Sequence, residues 1–526
     1  MTIRSASDAA AQYLFLFLFL VGPSFANGQS IDISLPLDRS VYQRNASSNA
    51  QVPIAIQFEN ADARKFSLKV DRISAQTGAS PVPVSIETAN IPTNGVFQTT
   101  RQLSAGWYRL EIKTIRQDNT ELETASVKFG VGEVIYTAGQ SNIQGIELGT
   151  AGSPVLPGEP YDGLSAINQN CFCKRTYPFP VFEKMVRGAD DTQRKVGPTA
   201  NQNLWCYEVI GRQVSDHFGG VPVALFSTAS TGTTVGNWSD SANDPNAITH
   251  SPWTVNCTTS IPQWGSEGAE GHPYLALRTA LNFYGGMFGA RVIVWHQGES
   301  DNHVGTATST YQEQLQNVIH RSRQHFDGNL GWAISRVSLF PPASNGAQII
   351  AAQENAKNST PNTIWGAYYS DQLTYEMGQR QSGNGHFNQE GLKSLGQQIA
   401  LGYDAINTTP PGGASYQGIS TLSPVEARPV PTLSIAKAGS TYTLTVDGTH
   451  QSYCWVQDDG PINTCQYTTQ SISVSTGKWR CYVTHLDPNP VSGHEKRNVS
   501  LTRNVRLPLT DFSPSLSSGQ ISVGEN

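Results

Sequence analysis

The chain has 526 residues, too many for one hydrophobic core, so two to four domains are expected. Charged residues make up only 14%, and Asn, Ser, Thr, Gln and Gly take their place, a profile that suits an extracellular surface. The net charge is -6 with no long basic run, which argues against nucleic acid as a partner.

The N-terminal stretch "AQYLFLFLFLVGPSFANG" has an apolar run from Tyr13 to Val21, a Pro break and a small-residue exit at Ser24-Phe25-Ala26. The run falls short of the roughly 20 apolar residues of a membrane span, so residues 1–26 read as a signal peptide. Its basic region is weak, because Asp8 partly offsets Arg4, and no Cys near the exit indicates a lipid anchor. The expectation is a secreted, periplasmic or cell-surface protein with no membrane span after signal removal.

Residues 29–130 predict an all-β sandwich of immunoglobulin-like or fibronectin-like type. "VPIAIQF", "KFSLKVDRI", "VPVSIET", "WYRLEIKTI" and "ASVKFGV" are short, partly alternating runs punctuated by Gly, Asn, Asp and Pro. From 131 to 405 strands alternate with helices. Strands are predicted in "EVIYTAG", "VPVALFS", "ARVIVWHQ", "LGWAISRVSLF" and "TIWGAYYS". Helices are predicted in "NLWCYEVIGRQVSDHF", "PYLALRTALNFYG", "YQEQLQNVIHRSRQHF", "AQIIAAQENAK" and "QEGLKSLGQQIALGYDAI". That alternation implies an α/β domain with a central parallel sheet covered on both faces, binding its ligand beyond the carboxyl ends of the strands. Residues 406–424, with "NTTPPGGAS", read as a linker. Residues 425–526 read as a second β-sandwich with a loose tail from Thr510. Seven cysteines in an exported chain predict some disulfides, with at least one left over, and their spacing is not that of structural zinc.

Four segments at predicted strand ends carry candidate chemistry. "VIYTAGQSNIQG" places Ser141 just after a strand, in a turn that is not the GxSxG elbow because Ile143 follows Asn142. "STASTGTTVGNW" offers Gly232, whose backbone N–H could approach an oxyanion. "VIVWHQGESDN" gathers His296, Gln297, Glu299 and Asp301 after an apolar strand. "GNGHFNQEGLKSLG" puts His386 in a Gly-rich loop before the last helix, with Asn388 placed to cap it. Serine acyl transfer needs a nucleophile, a base, oxyanion donors and something to orient the base. A metal reading of His296, Glu299, Asp301 and His303 is disfavoured by spacing, and no cofactor is expected.

Together, "GQSN", "WHQGESD" and "HF…G" resemble the SGNH (GDSL-like) hydrolases, and more narrowly the carbohydrate O-acetylesterases related to sialate O-acetylesterase. The resemblance covers residues 131–405 and implies an SGNH (flavodoxin-like) three-layer domain. It further implies Ser141 as nucleophile, His386 as general base, and Gly232, Gln297 and the Ser141 N–H as oxyanion donors. The family usually has Asp three residues before its histidine, where this chain has Gly383. Three readings follow: a dyad oriented by a backbone carbonyl, an acid from elsewhere (Asp371, Glu299 or Asp301), or a weakened site. Asn142, Trp238 and His296 are candidates for contacting substrate. The long insertion Asn237–Gly271, with Trp238, Trp253 and Trp264, and the loop Thr150–Asn203 are candidate walls. The expected activity is removal of O-acetyl groups from a carbohydrate, sialic acid or another glycan. The rivals are a carbohydrate-binding or adhesive surface protein that has lost turnover, and an esterase acting on lipid or peptidoglycan.

Overall fold

The computed structural model describes residues 30–74, 80–144, 164–167, 180, 182–184, 205–244, 271–340, 346–368, 370–374, 377–381, 385–402, 418–460, 465–485 and 499–512. The expected signal peptide, Cys171, Cys173, Cys257, Trp253, Trp264, Gly383 and the end of the tail lie outside these residues.

Eight strands open the chain: β1 (Ile31–Leu35), β2 (Val41–Gln43), β3 (Asn49–Phe58), β4 (Lys65–Ile73), β5 (Val82–Asn90), β6 (Val96–Ser104), β7 (Gly106–Ile115) and β8 (Glu121–Gly139). β1, β3 and β6 form one antiparallel sheet. β5, β4, β7 and β8 form another, and β2 joins it parallel to β8. Val52, Ile54, Ile56 and Phe58 of the first sheet share a buried core with Phe66, Leu68, Leu110 and Ile112 of the second. The alternation that predicted half-buried strands places those side chains inward.

β8 is 19 residues long and does not stop where the sandwich was expected to end. Its first half pairs antiparallel with β7 from Glu121 to Val131. Its second half lies parallel between two strands of the next sheet. The expected boundary at 130–131 therefore falls inside a single continuous strand.

The alternating region follows as α1 (Ser141–Gln144), β9 (Leu164–Ile167), β10 (Phe182–Lys184), α2 (Tyr207–His217), β11 (Val223–Ser227) and α3 (Val235–Asn243). α4 (Tyr274–Ala280) continues through a π turn into α5 (Gly286–Phe288). Then come β12 (Val292–His296), α6 (Glu299–Val304), α7 (Thr308–His325), β13 (Gly331–Ile334), α8 (Ala347–Ser359), β14 (Thr363–Trp365) and α9 (Gln389–Leu401). The strand order is β10-β9-β11-β8-β12-β13-β14, parallel except for β10. Successive residues face opposite sides. Ile135, Leu225, Val292 and Val294 pack with Tyr207 and Ile210 of α2 and with Leu392 and Leu395 of α9. Tyr136, Phe226, Ile293 and Trp295 pack with residues of α3, α4, α7 and α8. Burial on both faces explains why these strands read as unbroken apolar runs. α3 corrects the expected loop: Thr234 and Asn237 form a reciprocal capping box, so the chain is helical to Asn243.

The C-terminal strands are β15 (Leu433–Ala438), β16 (Thr441–Val446), β17 (Ser452–Gln457), β18 (Ser471–Val474), β19 (Gly477–Thr484), β20 (Val499–Leu501) and β21 (Val505–Leu507). One sheet of β15, β16 and β18 and another of β17, β19, β20 and β21 share Leu444, Trp455, Ile472, Trp479 and Val483. Cys454 and Cys465 form a disulfide, while Cys206 and Cys481 are buried thiols. Arg503 donates to the carbonyl of Phe97 at 2.8 Å, and Gln57 bonds both the N–H and the carbonyl of Arg506, docking this unit on the N-terminal one. No helix among the described residues is long and apolar enough to cross a membrane.

Glu133, at the crossing point of β8, is buried between two guanidinium groups. Arg291 Nε and Nη2 reach its carboxylate at 2.7 and 3.0 Å, and Arg44 Nε at 2.6 Å. Arg291 Nη1 also donates to the carbonyl of Leu422 at 3.1 Å, within the expected linker. Removing the carboxylate strands two partly buried cations. Glu133→Ala is expected to lower stability by about 3–5 kcal/mol in a denaturant melt, and an unchanged midpoint would contradict this.

Candidate active site

The site is built where three strands end. β8 finishes at Gly139, paired with His296 of β12. Gly139 has φ +134°, and a Cβ there would lie 2.0 Å from the His296 carbonyl oxygen, so only glycine fits. Gln140 N then donates to the same carbonyl at 3.1 Å, and Ile143 N and Gln144 N close the turn on Gln140 O. From β11, Thr228 N donates to Thr137 O at 2.8 Å and Ser230 N to Gly139 O at 2.9 Å. These bonds draw the Thr/Gly loop alongside the serine turn. Gly232 sits half-buried in that loop with φ +67°.

His386 arrives from the loop before α9. A bridge pairs Arg380 with Phe387, and Gln381 N donates to His386 O at 2.9 Å. Arg380 Nη1 donates to the Gly385 carbonyl and its Nε to the Leu373 carbonyl at 2.6 Å. Asn388 caps α9 by accepting from Gly391 N at 3.0 Å. This framework brings His386 Nε2 to 2.8 Å from Ser141 Oγ, across 245 residues of sequence. Ser141 is 3% and His386 5% exposed.

The other expected residues take different places. Asn142 is fully buried: its Oδ1 accepts from Phe387 N at 3.2 Å and its Nδ2 donates to Glu299 Oε1 at 3.0 Å. It straps the serine turn to the histidine loop rather than facing a substrate. Gln297 is also fully buried. Its Nε2 lies 2.5 Å from Asp301 Oδ2, 2.9 Å from Thr233 O and 3.2 Å from Gln140 Oε1. Its Oε1 accepts from Tyr311 OH at 3.0 Å. Two N–H groups already shared among three acceptors leave none for an oxyanion. Turning the amide over would set its oxygen against the Asp301 carboxylate.

None of the three candidate acids bonds the imidazole of His386. Asp371 accepts from Ser338 N and Leu339 N at 2.8 Å and from Ser338 Oγ at 2.6 Å. Asp301 accepts from Gln297, from Val235 N at 2.8 Å and from Thr306 Oγ1 at 2.8 Å. Glu299 accepts from Asn142 and lies 3.9 Å from His296 Nδ1. Trp238 is a core residue, edge-on to Trp295 with its Nε1 donating to Thr233 Oγ1 at 2.9 Å. His296 is fully buried, with Nε2 at 3.2 Å from Ser370 Oγ. Among the described residues no three His, Cys, Asp or Glu side chains are grouped as a metal site requires.

The electrostatics follow from this burial. Desolvation, then the nearby Arg380 guanidinium, push the His386 pKa down to about 4. The same two causes lower His296 to about 3. Burial raises Glu299 to about 7 against the opposing Asn142 hydrogen bond. His386 is thus neutral at pH 7 and able to accept the Ser141 proton at Nε2. Arg380 was not singled out in the sequence, where an isolated arginine six residues before a histidine carries no signal of its partners.

Residues 131–405, slightly more than half of the chain, match the family described as SASA: carbohydrate esterase, sialic acid-specific acetylesterase. The chain belongs to this carbohydrate esterase family. A comparison with curated proteins finds no match. Among solved structures, the fibronectin(III)-like modules of Clostridium thermocellum CbhA are 13% identical, covering 19% of this chain and 94% of theirs at a TM-score of 0.14. Superoxide reductase (neelaredoxin) from Ignicoccus hospitalis is 9% identical, covering 20% and 80% at 0.15. A β-glucosidase from Listeria innocua is 11% identical, covering 19% and 16% at 0.14. Likenesses at this level bear on neither the fold nor the site.

In this esterase, a histidine-selective NMR titration is expected to find His386 half-protonated near pH 4. Arg380→Gln should raise that value without restoring the ordinary 6.5, because burial is the larger cause. A wild-type value near 6.5 would contradict the burial argument.

Proposed function

We propose that this protein is an exported serine esterase that removes O-acetyl groups from a carbohydrate, sialic acid or another glycan. The observation that carries this reading is the 2.8 Å approach of Ser141 Oγ and His386 Nε2 inside the matched region. Ser141 gives its proton to neutral His386 as Oγ attacks the acetyl carbonyl carbon. The C=O bond becomes an oxyanion, accepted by the N–H of Ser141, in the first turn of α1, and by that of Gly232. The tetrahedral intermediate collapses, the C–O bond to the sugar breaks, and His386 returns its proton to the leaving alcohol. Water activated by His386 then attacks the acetyl-serine, releasing acetate and free Ser141.

The unit carrying this chemistry is taken as residues 131–405 with an SGNH-type three-layer arrangement. β-Sandwiches at 29–130 and 425–526 flank it, and 406–424 link it to the second. β8 sitting between β11 and β12, with the serine beyond its carboxyl end, supports that arrangement. The leader-like residues 1–26 and the Cys454–Cys465 disulfide support export to the periplasm, the cell surface or beyond. A second reading, a carbohydrate-binding surface protein with weakened turnover, is favoured by one observation: none of the three candidate carboxylates bonds His386.

Hydrolysis of an activated acetate ester separates the two. Ser141→Ala and His386→Ala are each expected to lower kcat by about four orders of magnitude or more, with unchanged thermal unfolding. Equal rates in wild type and Ser141→Ala would overturn the nucleophile. The acid limb of kcat/KM should fall near pH 4, because only neutral His386 accepts the proton and its pKa is lowered to about 4.

A further inference from the structure

We propose that Phe340 is a positioning residue for His386, and that Asp371 acts on the histidine through Phe340 rather than by touching it. The proposal rests on the Ser141 and His386 reading above. An imidazole that works as a base has to be held in plane and in reach of the nucleophile, a task a carboxylate performs in Ser-His-Asp sites. Asp371 and Asp301 spend their oxygens elsewhere, and Glu299 accepts from Asn142 rather than from His386. The Phe340 ring instead stands edge-to-face against the His386 ring, with centroids 5.8 Å apart and planes at 84°.

The same phenyl ring also presses on the backbone that carries the histidine. A Cβ on Gly385 would lie 2.3 and 2.4 Å from Phe340 Cδ2 and Cε2, so the ring sits directly on the residue before His386. Phe340 itself is held from behind. The Asp371 carboxylate takes the N–H groups of Ser338 and Leu339 and the hydroxyl of Ser338. Asn302 Nδ2 donates to Ser338 O at 3.0 Å, and Gly346 N donates to Ser338 Oγ at 2.9 Å. A chain of fixed contacts therefore runs from Asp371 through residues 338–339 to Phe340, and from its ring to His386.

Kinetics and a nitrogen-shift comparison test this. On an activated acetate ester, Phe340→Ala and Phe340→Leu are expected to lower kcat about 10–100-fold with little change in KM, and Phe340→Tyr, which keeps the ring, to restore most of it. A raised KM with unchanged kcat would make Phe340 a substrate wall and overturn the proposal. Asp371→Ala should lower kcat alone but add less than about 2-fold in the Phe340→Ala background, and a full multiplicative loss would overturn its action through Phe340. Histidine-selective 15N spectra need no turnover. Ser141→Ala should shift the His386 Nε2 signal in the otherwise wild-type protein but not in Phe340→Ala. An equal shift in both backgrounds would show the imidazole still in register without Phe340. If the wild type hydrolyses no ester, the serine-esterase reading fails, while the nitrogen comparison still decides the positioning claim.

Discussion

The site depends on one close approach, the backbone of Gly139 lying against the carbonyl of His296. No side chain fits at 139, where a Cβ would lie 2.0 Å from that oxygen. The contact lets β8 end flush with β12 and turn at once, so Ser141 emerges at the mouth of the sheet instead of a residue further out. The same carbonyl accepts from Gln140 N, and Gly139 O accepts from Ser230 N. Three strand ends are thus locked by backbone bonds before any functional side chain is added. What the side chains then do is fill polar demands around that lock. Gln140 Oε1 accepts from Gln297 Nε2, and Gln297 Nε2 also serves Thr233 O and Asp301.

That locking has an electrostatic consequence. A serine and a histidine held this deeply cannot be charged cheaply, and Arg380, needed to brace the Gly385 carbonyl, adds a cation nearby. The ground state gains a neutral imidazole at any pH above about 4. An imidazolium at His386, which the proposed mechanism requires, is correspondingly costly. Folding carries the same burden. Between the ordinary pKa of 6.5 and about 4, the unfolded chain holds a proton on His386 that the native state does not. Its contribution to stability is therefore complete above 6.5 and is lost as pH falls toward 4.

How far the sequence foretold this depends on whether each feature is local. The strands around Ile135, Leu225 and Ile293 were legible because burial on both faces leaves a run of apolar residues. The meeting of Ser141 and His386 was legible because "GQSN" and the Gly-rich histidine loop lie just where such strands and helices end. The partner of each polar side chain was not. Gln297 was expected to face an oxyanion and is consumed by Asp301, Thr233 and Gln140. Trp238, among Asn, Ser and Gly, had the look of a sugar platform, yet Val235 and Trp238 turn inward because Thr234 starts a helix there. The passage of β8 through residue 130 was hidden by Gly130 and Gly132, which punctuate the sequence as a boundary would.

A missing acid three residues before the histidine does not by itself mean a dead site. A carboxylate can hold an imidazole directly, by hydrogen bonding it, or indirectly, by fixing whatever packs on it. The direct route also stabilises the imidazolium with a full negative charge, and a phenyl ring, which offers shape and a quadrupole but no net charge, does so far less. A site of the second kind therefore keeps its geometry while forgoing that route to charge compensation, and the nearby Arg380 guanidinium opposes the imidazolium further. On the mechanism proposed above, a proton disfavoured on the imidazole by burial and by Arg380 passes readily to the departing alcohol. Such a site suits acetyl groups on alcohols whose leaving oxygen is itself held within reach of Nε2, and it ties turnover to how well the sugar is seated.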